Sequence, residues 1–254
     1  MIKYGIKIWS INEDWFTEAI ILCKKNQIDF VELYLVPDKI PESVKKFKGI
    51  EMQIHAPHSS HGFNIFKFNQ EKINFFQEQV VKTANLLNAQ NIIVHAGVGE
   101  DKLIFMKNIK LISNNRLLIE NKPKVGLNNE LCFGHSLDQL VFIRNKCGLK
   151  ICLDFGHAIK SAASEKTNYK DSLINLLGIL KPTYFHLSGG YYDNEQDEHL
   201  NLFEGNIDGN WIKNKLEKLS KNNDIRLVFE TPKVGNNLDN DLKNIEYFKN
   251  LPGR

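Results

Sequence analysis

The sequence predicts an α/β protein that folds as a single (β/α)8 TIM barrel over residues 1–254. Eight short β-rich runs alternate with helix-like stretches from one end of the chain to the other. The runs begin on average about 32 residues apart, which is the size of one βα unit. A chain of 254 residues is also the right length for one such barrel. No shift in composition divides the chain into two domains.

The predicted strands are rich in β-branched and aromatic residues, and several are almost continuously apolar. Such runs are typical of parallel strands that are covered on both faces. They occupy residues 4–9, 30–35, 52–56, 91–96, 116–120, 150–155, 183–187 and 226–230.

Amphipathic stretches separate these runs. Apolar residues at helical spacing predict helices over residues 74–87, 137–143, 169–180, 211–219 and 238–248. A doubly wound open sheet is the alternative, but it more often carries a glycine-rich turn after its first strand. The chain has Ser-Ile-Asn-Glu-Asp-Trp there, without glycine, so the barrel is favoured. Residues 188–209 form the longest irregular stretch, and loops of that length are usually functional.

Composition and charge narrow the class of protein only coarsely. Apolar residues make up 42% and charged residues 25%, as in soluble globular proteins, and the net charge of +3 neither requires nor excludes a nucleic-acid partner. The four cysteines form no CxxC pair, so we expect reduced, mostly buried thiols. The N-terminus lacks the features of a signal peptide, and no apolar run approaches the length of a membrane span. We therefore expect a soluble, cytoplasmic protein that makes no membrane contact. A monomer is the expected oligomeric state.

Residues that can bind metal ions recur where the predicted strands end. From the third strand to the eighth, every strand ends in or next to a histidine or a carboxylate. The loop after the seventh strand adds an Asp-Glu-His sequence whose first and third residues face the same side when extended. The nine residues are His55, His95, Glu120, Asp154, His157, His186, Asp197, His199 and Glu230.

In a parallel barrel these strand ends meet at one rim, which is where active sites lie. A single histidine at a strand end is more often a hydrogen-bonded structural residue, but five of the eight histidines fall in this one set. Buried carboxylates need a cation or a hydrogen-bond network. Mixed histidine and carboxylate ligands suit Zn²⁺, Mn²⁺ or Fe, and nine ligands suit about three ions. A site with two or three metal ions is suited to phosphoester hydrolysis.

Four further residues are candidates for substrate contacts. His58 lies just beyond His55, although a solvated loop histidine is the simpler interpretation. Glu32 lies near the end of the second strand, where a rim position and a hydrogen bond or salt bridge inside the barrel are equally compatible with the sequence. Lys122 and Lys233 directly follow strand-end ligands, and a DNA-binding enzyme needs cations on that rim.

The sequence resembles the endonuclease IV type of apurinic/apyrimidinic (AP) endonuclease, AP endonuclease family 2, within the xylose isomerase-like TIM-barrel superfamily. The matching segments contain the nine residues given above. They are His-Ala-Pro, Val-His-Ala-Gly, Ile-Glu-Asn, Cys-Leu-Asp-Phe-Gly-His-Ala, His-Leu-Ser-Gly, Asp-Glu-His followed by Glu-Gly-Asn-Ile, and Glu-Thr-Pro. They occur in the family's order over most of the chain.

The resemblance implies a trinuclear zinc site. It assigns one ion to His55, His95 and Glu120, a second to Glu120, Asp154, His186 and Glu230, and a third to His157, Asp197 and His199. The implied reaction is hydrolysis of the DNA phosphodiester 5′ to an abasic site by a metal-bridging hydroxide. Glu120 bridges two ions and Glu230 orients or deprotonates the water, so these two are the expected catalytic residues.

The segments that enter DNA in that family differ here. The first strand reads Tyr-Gly-Ile-Lys-Ile-Trp-Ser in place of a His-x-Ser pattern, the loop after the second strand has no arginine or tryptophan, and His58 stands where a tyrosine is usual. The metal ligands are retained, so the differences bear on the substrate more than on the chemistry.

Two other functions remain open. A sugar or sugar-phosphate isomerase or epimerase of the same superfamily would need one Mn²⁺ on Glu120, Asp154, His186 and Glu230, and Glu32 also resembles those enzymes. It would not need His55, His95, Asp197 and His199 together, so these four favour the hydrolase. A catalytically silent metal-binding barrel is the third interpretation.

Overall fold

The computed structural model describes residues 1–253, which form a closed barrel of eight parallel strands in sequence order. The eighth strand pairs with the first, with Ile2 opposite Ile225 and Ile6 opposite Phe229, and this pairing closes the barrel. The predicted fold class is confirmed.

All eight predicted strands are present, with ends that lie within two residues of the predicted ones. Four of them end on a predicted metal ligand, because the chain turns into a loop or a helix at that residue. The strands are β1 (Ile2–Trp9), β2 (Phe30–Tyr34), β3 (Met52–His55), β4 (Ile92–His95), β5 (Leu117–Glu120), β6 (Lys150–Asp154), β7 (Tyr184–Leu187) and β8 (Ile225–Phe229).

Helices cover the outside of the barrel. They are α1 (Glu13–Lys24), α2 (Gln70–Phe75), α3 (Lys82–Leu86), α4 (Lys102–Leu111), α5 (Leu137–Cys147), α6 (Phe155–Ser164), α7 (Tyr169–Leu180), α8 (Gly209–Ser220) and α9 (Asp239–Asn250). The predicted helix over residues 74–87 is interrupted by a π-helical segment, Phe76–Val81, and α1, α4 and α6 were not predicted. A 3₁₀ segment, Glu42–Phe47, follows β2 in place of an α-helix.

The barrel has an apolar floor below its open mouth. Six inward-facing residues form a separate buried cluster inside the barrel: Phe30, Ile93, Leu118, Cys152, Tyr184 and Val228. Gly5 of β1 makes room for this floor, because a Cβ atom at Gly5 would lie 2.5 Å from the ring of Phe30. Side chains two residues further along each strand lie one layer higher, facing the mouth.

The sequence also predicts reduced thiols and no membrane-spanning segment. The four cysteines are free thiols; Cys132 and Cys152 are buried, whereas Cys23 and Cys147 are partly exposed. Among the described residues, no helix combines the length and the apolar character that crossing a bilayer requires.

Candidate metal centre

A layer of polar side chains lies directly above the apolar floor. The alternation of strand side chains places Glu32, His95, Glu120, Asp154, His186 and Glu230 two residues beyond the six floor residues. β1 and β3 contribute Lys7, the register partner of Glu32, and His55, the register partner of floor residue Ile93. Every strand therefore supplies one charged or imidazole side chain to the same layer.

Three of these residues, His55, His95 and Glu120, form the first group whose ligand atoms lie within reach of one ion. The Nε2 atoms of His55 and His95 lie 2.9 and 3.0 Å from the same oxygen, Oε2 of Glu120. His55 donates its Nδ1–H to the carbonyl oxygen of Ala56 at 2.7 Å. A carbonyl only accepts, so the neutral ring has a lone pair on Nε2, the arrangement that metal-binding histidines adopt.

The second group consists of Glu120, Asp154, His186 and Glu230, all buried. Within residues 1–253, Oε1 of Glu120, Oδ2 of Asp154 and Nδ1 of His186 are buried without a hydrogen-bond partner of acceptable geometry. Nδ1 of His186 also lies 2.6 Å from Oε1 of Glu230. Buried acceptors that converge without donors are costly, and a cation among them removes that cost. The residues present thus suit a divalent ion.

The third group, His157, Asp197 and His199, lies beside the first two. The Nε2 atoms of the two histidines lie 3.2 and 2.6 Å from Oδ2 of Asp197. His157 donates its Nδ1–H to the backbone carbonyl of Asn121 at 2.8 Å, and His199 donates its own to that of Glu230 at 3.0 Å. Both rings therefore direct Nε2 at the carboxylate, as His55 does in the first group.

The loop after β7 brings Asp197 and His199 to the mouth. Glu198, between them, points the other way and accepts a 2.6 Å hydrogen bond from the buried ammonium of Lys160. Gly189 allows the loop to pack closely, because a Cβ atom there would lie 2.0 Å from the carbonyl oxygen of Asn201. Asp197 and His199 thus line the cavity together, whereas the carboxylate of Glu198 faces Lys160.

Glu32 fixes the orientation of the His186 imidazole. Oε2 of Glu32 lies 2.9 Å from Nε2 of His186 and accepts a 2.6 Å hydrogen bond from the hydroxyl of Tyr184. Since Nε2–H donates to Glu32, Nδ1 is left facing the second group. Glu32 is fully buried, and with His55, His186 and Glu230 it forms a further set of ligand atoms within reach of one ion, so its role as a substrate contact stays a prediction. A hydrogen bond inside the barrel, the other interpretation of this residue, is present.

Lys7 is a site residue that the sequence analysis missed. Its ammonium lies 2.6 Å from Oε1 of Glu230 and 3.6 Å from Oε1 of Glu32. Burial would lower the pKa of Lys7, but Glu230, Glu32 and Glu120 raise it above its usual value, so the group stays charged. One signal was available: a lysine between Ile6 and Ile8, in a strand covered on both faces, reaches water only through the mouth of the barrel.

A cavity of about 560 Å³ opens above the polar layer. It is lined by members of all three groups, by the predicted contacts His58, Lys122 and Lys233, and by Trp9. Lys233 forms an ion pair with Asp241, so its charge is already compensated. His58 stacks on His95 with ring centroids 5.5 Å apart, and it is therefore packed rather than a free loop residue.

The carboxylates make the mouth of the barrel a site for positive charge. Burial would raise the pKa of Glu120, but the imidazoles of His95 and His186 hold it well below its usual value. Burial lowers the pKa of His199, but Asp197 and Glu230 raise it to about 9. Burial raises the pKa of Asp154. Without metal ions, protonated imidazoles and Lys7 supply the positive charge that this layer requires.

Comparison with known proteins gives the family. The family model described as a xylose isomerase-like TIM barrel matches residues 20–251. An uncharacterized protein of Methanocaldococcus jannaschii is 24% identical, over 77% of this chain and 79% of its own length.

Three solved structures share the fold at low sequence identity. Endonuclease IV from Thermus thermophilus superposes with a TM-score of 0.70 at 18% identity and covers 97% of each chain. A putative xylose isomerase from Rhodospirillum rubrum has a TM-score of 0.69 at 13% identity, covering 99% of this chain and 98% of the other. D-psicose 3-epimerase from Clostridium cellulolyticum has a TM-score of 0.65 at 11% identity, covering 99% and 100%. At these identities the likeness concerns the fold alone.

Proposed function

The chain belongs to the xylose isomerase-like TIM-barrel family, and within that family we propose that it is a metal-dependent phosphodiester hydrolase of the endonuclease IV type. Its proposed cofactor is a set of about three divalent ions, most simply Zn²⁺, on the nine histidines and carboxylates of the polar layer and the loop after β7. Its proposed substrate is DNA with an abasic site, cut at the phosphodiester 5′ to that site.

The number of separate ligand groups carries this proposal. A single-metal enzyme needs only the second group, Glu120, Asp154, His186 and Glu230. Here three additional sets of ligand atoms adjoin it: one shares Glu120, one includes His157, and one combines Glu32 and His55 with His186 and Glu230. The tautomers of His55, His157 and His199, fixed by backbone carbonyls, direct Nε2 at a carboxylate, the arrangement that metal-binding histidines adopt.

Each group has a defined chemical role in this reaction. When bound, the ions would activate water and neutralise the oxygens of the phosphoester. Glu120 supports two groups at once, because Oε2 faces His55 and His95 while Oε1 faces the second group. Glu230, at the edge of the cavity, would orient the attacking water and accept its proton.

The experiment that tests this function is a pair of assays on metal-loaded protein. We expect nicking of a duplex that contains one abasic site, with a rate that falls steeply as salt increases because phosphate contacts are lost. The matched duplex without the abasic site is the control. Absence of nicking, together with one or no metal ion per chain at saturation, would contradict the proposal.

A sugar or sugar-phosphate isomerase or epimerase is the second candidate, and the cavity favours it specifically. A volume of about 560 Å³ is that of a small-molecule pocket. In this function Glu120 and Glu230, both members of the second group, would shuttle a proton on the substrate. Epimerisation of ketoses or sugar phosphates without nicking of abasic DNA would favour this candidate.

A further inference from the structure

We propose that Lys7 is a substrate-binding residue that holds an oxyanion of the substrate, most directly a non-bridging phosphate oxygen. This inference rests on the proposed function for the identity of the anion. It does not follow from the ligand groups described above, because Lys7 belongs to none of them.

Lys7 lies at the boundary between the polar layer and the cavity. The side chain projects from β1 into the polar layer, is 11% exposed, and lines the cavity together with Glu230, His157 and His199. An oxyanion lying over the candidate metal groups therefore comes close to this ammonium.

Not all N–H donors of the Lys7 ammonium are engaged in hydrogen bonds. An ammonium has three N–H donors. In the described part of the chain it makes one hydrogen bond, to Oε1 of Glu230, while Oε1 of Glu32 lies 3.6 Å away and is buried without a hydrogen-bond partner. Lys7 therefore retains donor capacity, and its side chain lines the cavity.

Glu230 is shared between Lys7 and the second ligand group. Oε1 of Glu230 lies 2.6 Å from Lys7 and 2.6 Å from Nδ1 of His186, which belongs to the same group. A cation bound there would neutralise much of the negative charge of Glu230, which now pairs with Lys7. The ammonium would then keep Glu32 as its counter-charge and have more donor capacity for a ligand.

The chemistry of the mouth specifies the ligand as an oxyanion. Lysine binds phosphate as a compact point charge. Lys122 is a second cation on the cavity wall, whereas Lys233 is neutralised by Asp241. With divalent ions bound in the groups below, these two lysines would make the cavity complementary to an anion rather than to a neutral molecule.

The test measures the affinity of the zinc-loaded protein for inorganic phosphate by titration calorimetry. Loss of a charged hydrogen bond in Lys7→Met should weaken phosphate binding about tenfold or more. The zinc content should stay that of the wild type. Lys3→Met is the matched control, because Lys3 lies on the same strand and pairs with Glu51 at the opposite end of the barrel. It should bind phosphate like the wild type.

A second variant guards against misfolding. Lys7→Met leaves Glu32 buried without a counter-charge, whereas Lys7→Met combined with Glu32→Gln removes both charges. The double variant should fold and still bind phosphate weakly. Phosphate affinity within twofold of the wild type in either variant would overturn the inference, and so would loss of zinc in both, which would make Lys7 a support of the metal groups.

These outcomes are independent of the proposed hydrolysis. A wild type that nicks abasic DNA, with a Lys7→Met variant of equal KM and phosphate affinity, would refute the role of Lys7 alone. A wild type that binds phosphate through Lys7 and nicks no DNA would refute the hydrolase alone.

Discussion

His55 and Glu120 meet as two acceptors: Nε2 of the imidazole lies 2.9 Å from Oε2 of the carboxylate, although the ring hydrogen is committed to the carbonyl of Ala56. Such a contact is stable only with a positive charge between the two atoms, supplied by a second ring proton or by a cation. The same relationship recurs between His157 and Asp197. Both contacts are therefore expected to respond to metal ions.

The purified protein should carry two to three divalent transition-metal ions per chain. Removing them with a chelator should lower the melting temperature by several degrees, because the carboxylates would again face one another without cations. Elemental analysis and a thermal scan before and after chelation measure both effects. Full occupancy with one ion or none would contradict the multinuclear site.

Glu120→Gln and Glu230→Gln should each reduce hydrolysis by about a hundredfold or more, because a charged group facing the reacting atoms is lost. Circular dichroism should show that the fold is retained. Glu195→Gln is the control, since Glu195 lies in the loop after β7 and its carboxylate bonds Ser164 rather than the site. Near-normal turnover in either site variant would refute the assigned roles.

His199→Ala should separate the two candidate functions. It removes a ligand of the third group alone, so the metal content should fall by about one ion and hydrolysis should be lost. An isomerase that uses only the second group would keep its activity. His135→Ala is the control, because His135 also directs Nδ1–H at a backbone carbonyl, that of Cys132, and belongs to none of the candidate groups.

Gly5→Ala should destabilise the fold by about 1–3 kcal/mol, because the new methyl group overlaps the ring of Phe30 in the barrel floor. Urea unfolding followed by fluorescence measures this change. Gly178→Ala provides the opposite case. Gly178 lies in α7, where a Cβ atom meets nothing within 4 Å, so this substitution should stabilise the fold by about 0.5–1 kcal/mol. Equal effects at the two positions would refute the packing argument.

Stability should fall with acidification partly because of His58. Burial, and then the positive charges of Lys122 and the imidazoles of His55 and His61, lower the pKa of His58 to about 3. The unfolded chain binds this proton below a pH of about 6.5, whereas the folded chain does not until about pH 3, so the free energy of unfolding decreases as the pH falls through that window.

His58→Asn should remove this contribution. The slope of the free energy of unfolding against pH should fall by about 1 kcal/mol per pH unit between pH 6 and pH 4. Chemical denaturation at several pH values provides the measurement. An unchanged slope in the variant would show that His58 titrates normally in the folded protein.

Most of the candidate site could be predicted from the sequence because strand side chains alternate and parallel strands end at a common rim. Glu120 and Asp154 end their strands and His186 lies next to the end of its own, so their positions along the chain determine the layer they occupy. The strand assignment was similarly secure, since each strand is covered on both faces. Helices were less well predicted: α1, α4 and α6 were missed, and α6 is rich in small residues and follows β6 without a break.

Lys7 shows where sequence reasoning fails. A lysine in a strand usually marks a solvated position, and the flanking Ile6 and Ile8 are the local sign that Lys7 instead faces the mouth of the barrel. The two sides of the barrel come together only when β8 pairs with β1, which places Lys7 beside Glu230, 223 residues away in sequence. The chain order alone thus determines that acids and imidazoles gather at one rim. Which atoms face one ion, and which cation neutralises them, is decided by barrel closure, because lateral distances between strands depend on register and not on sequence separation.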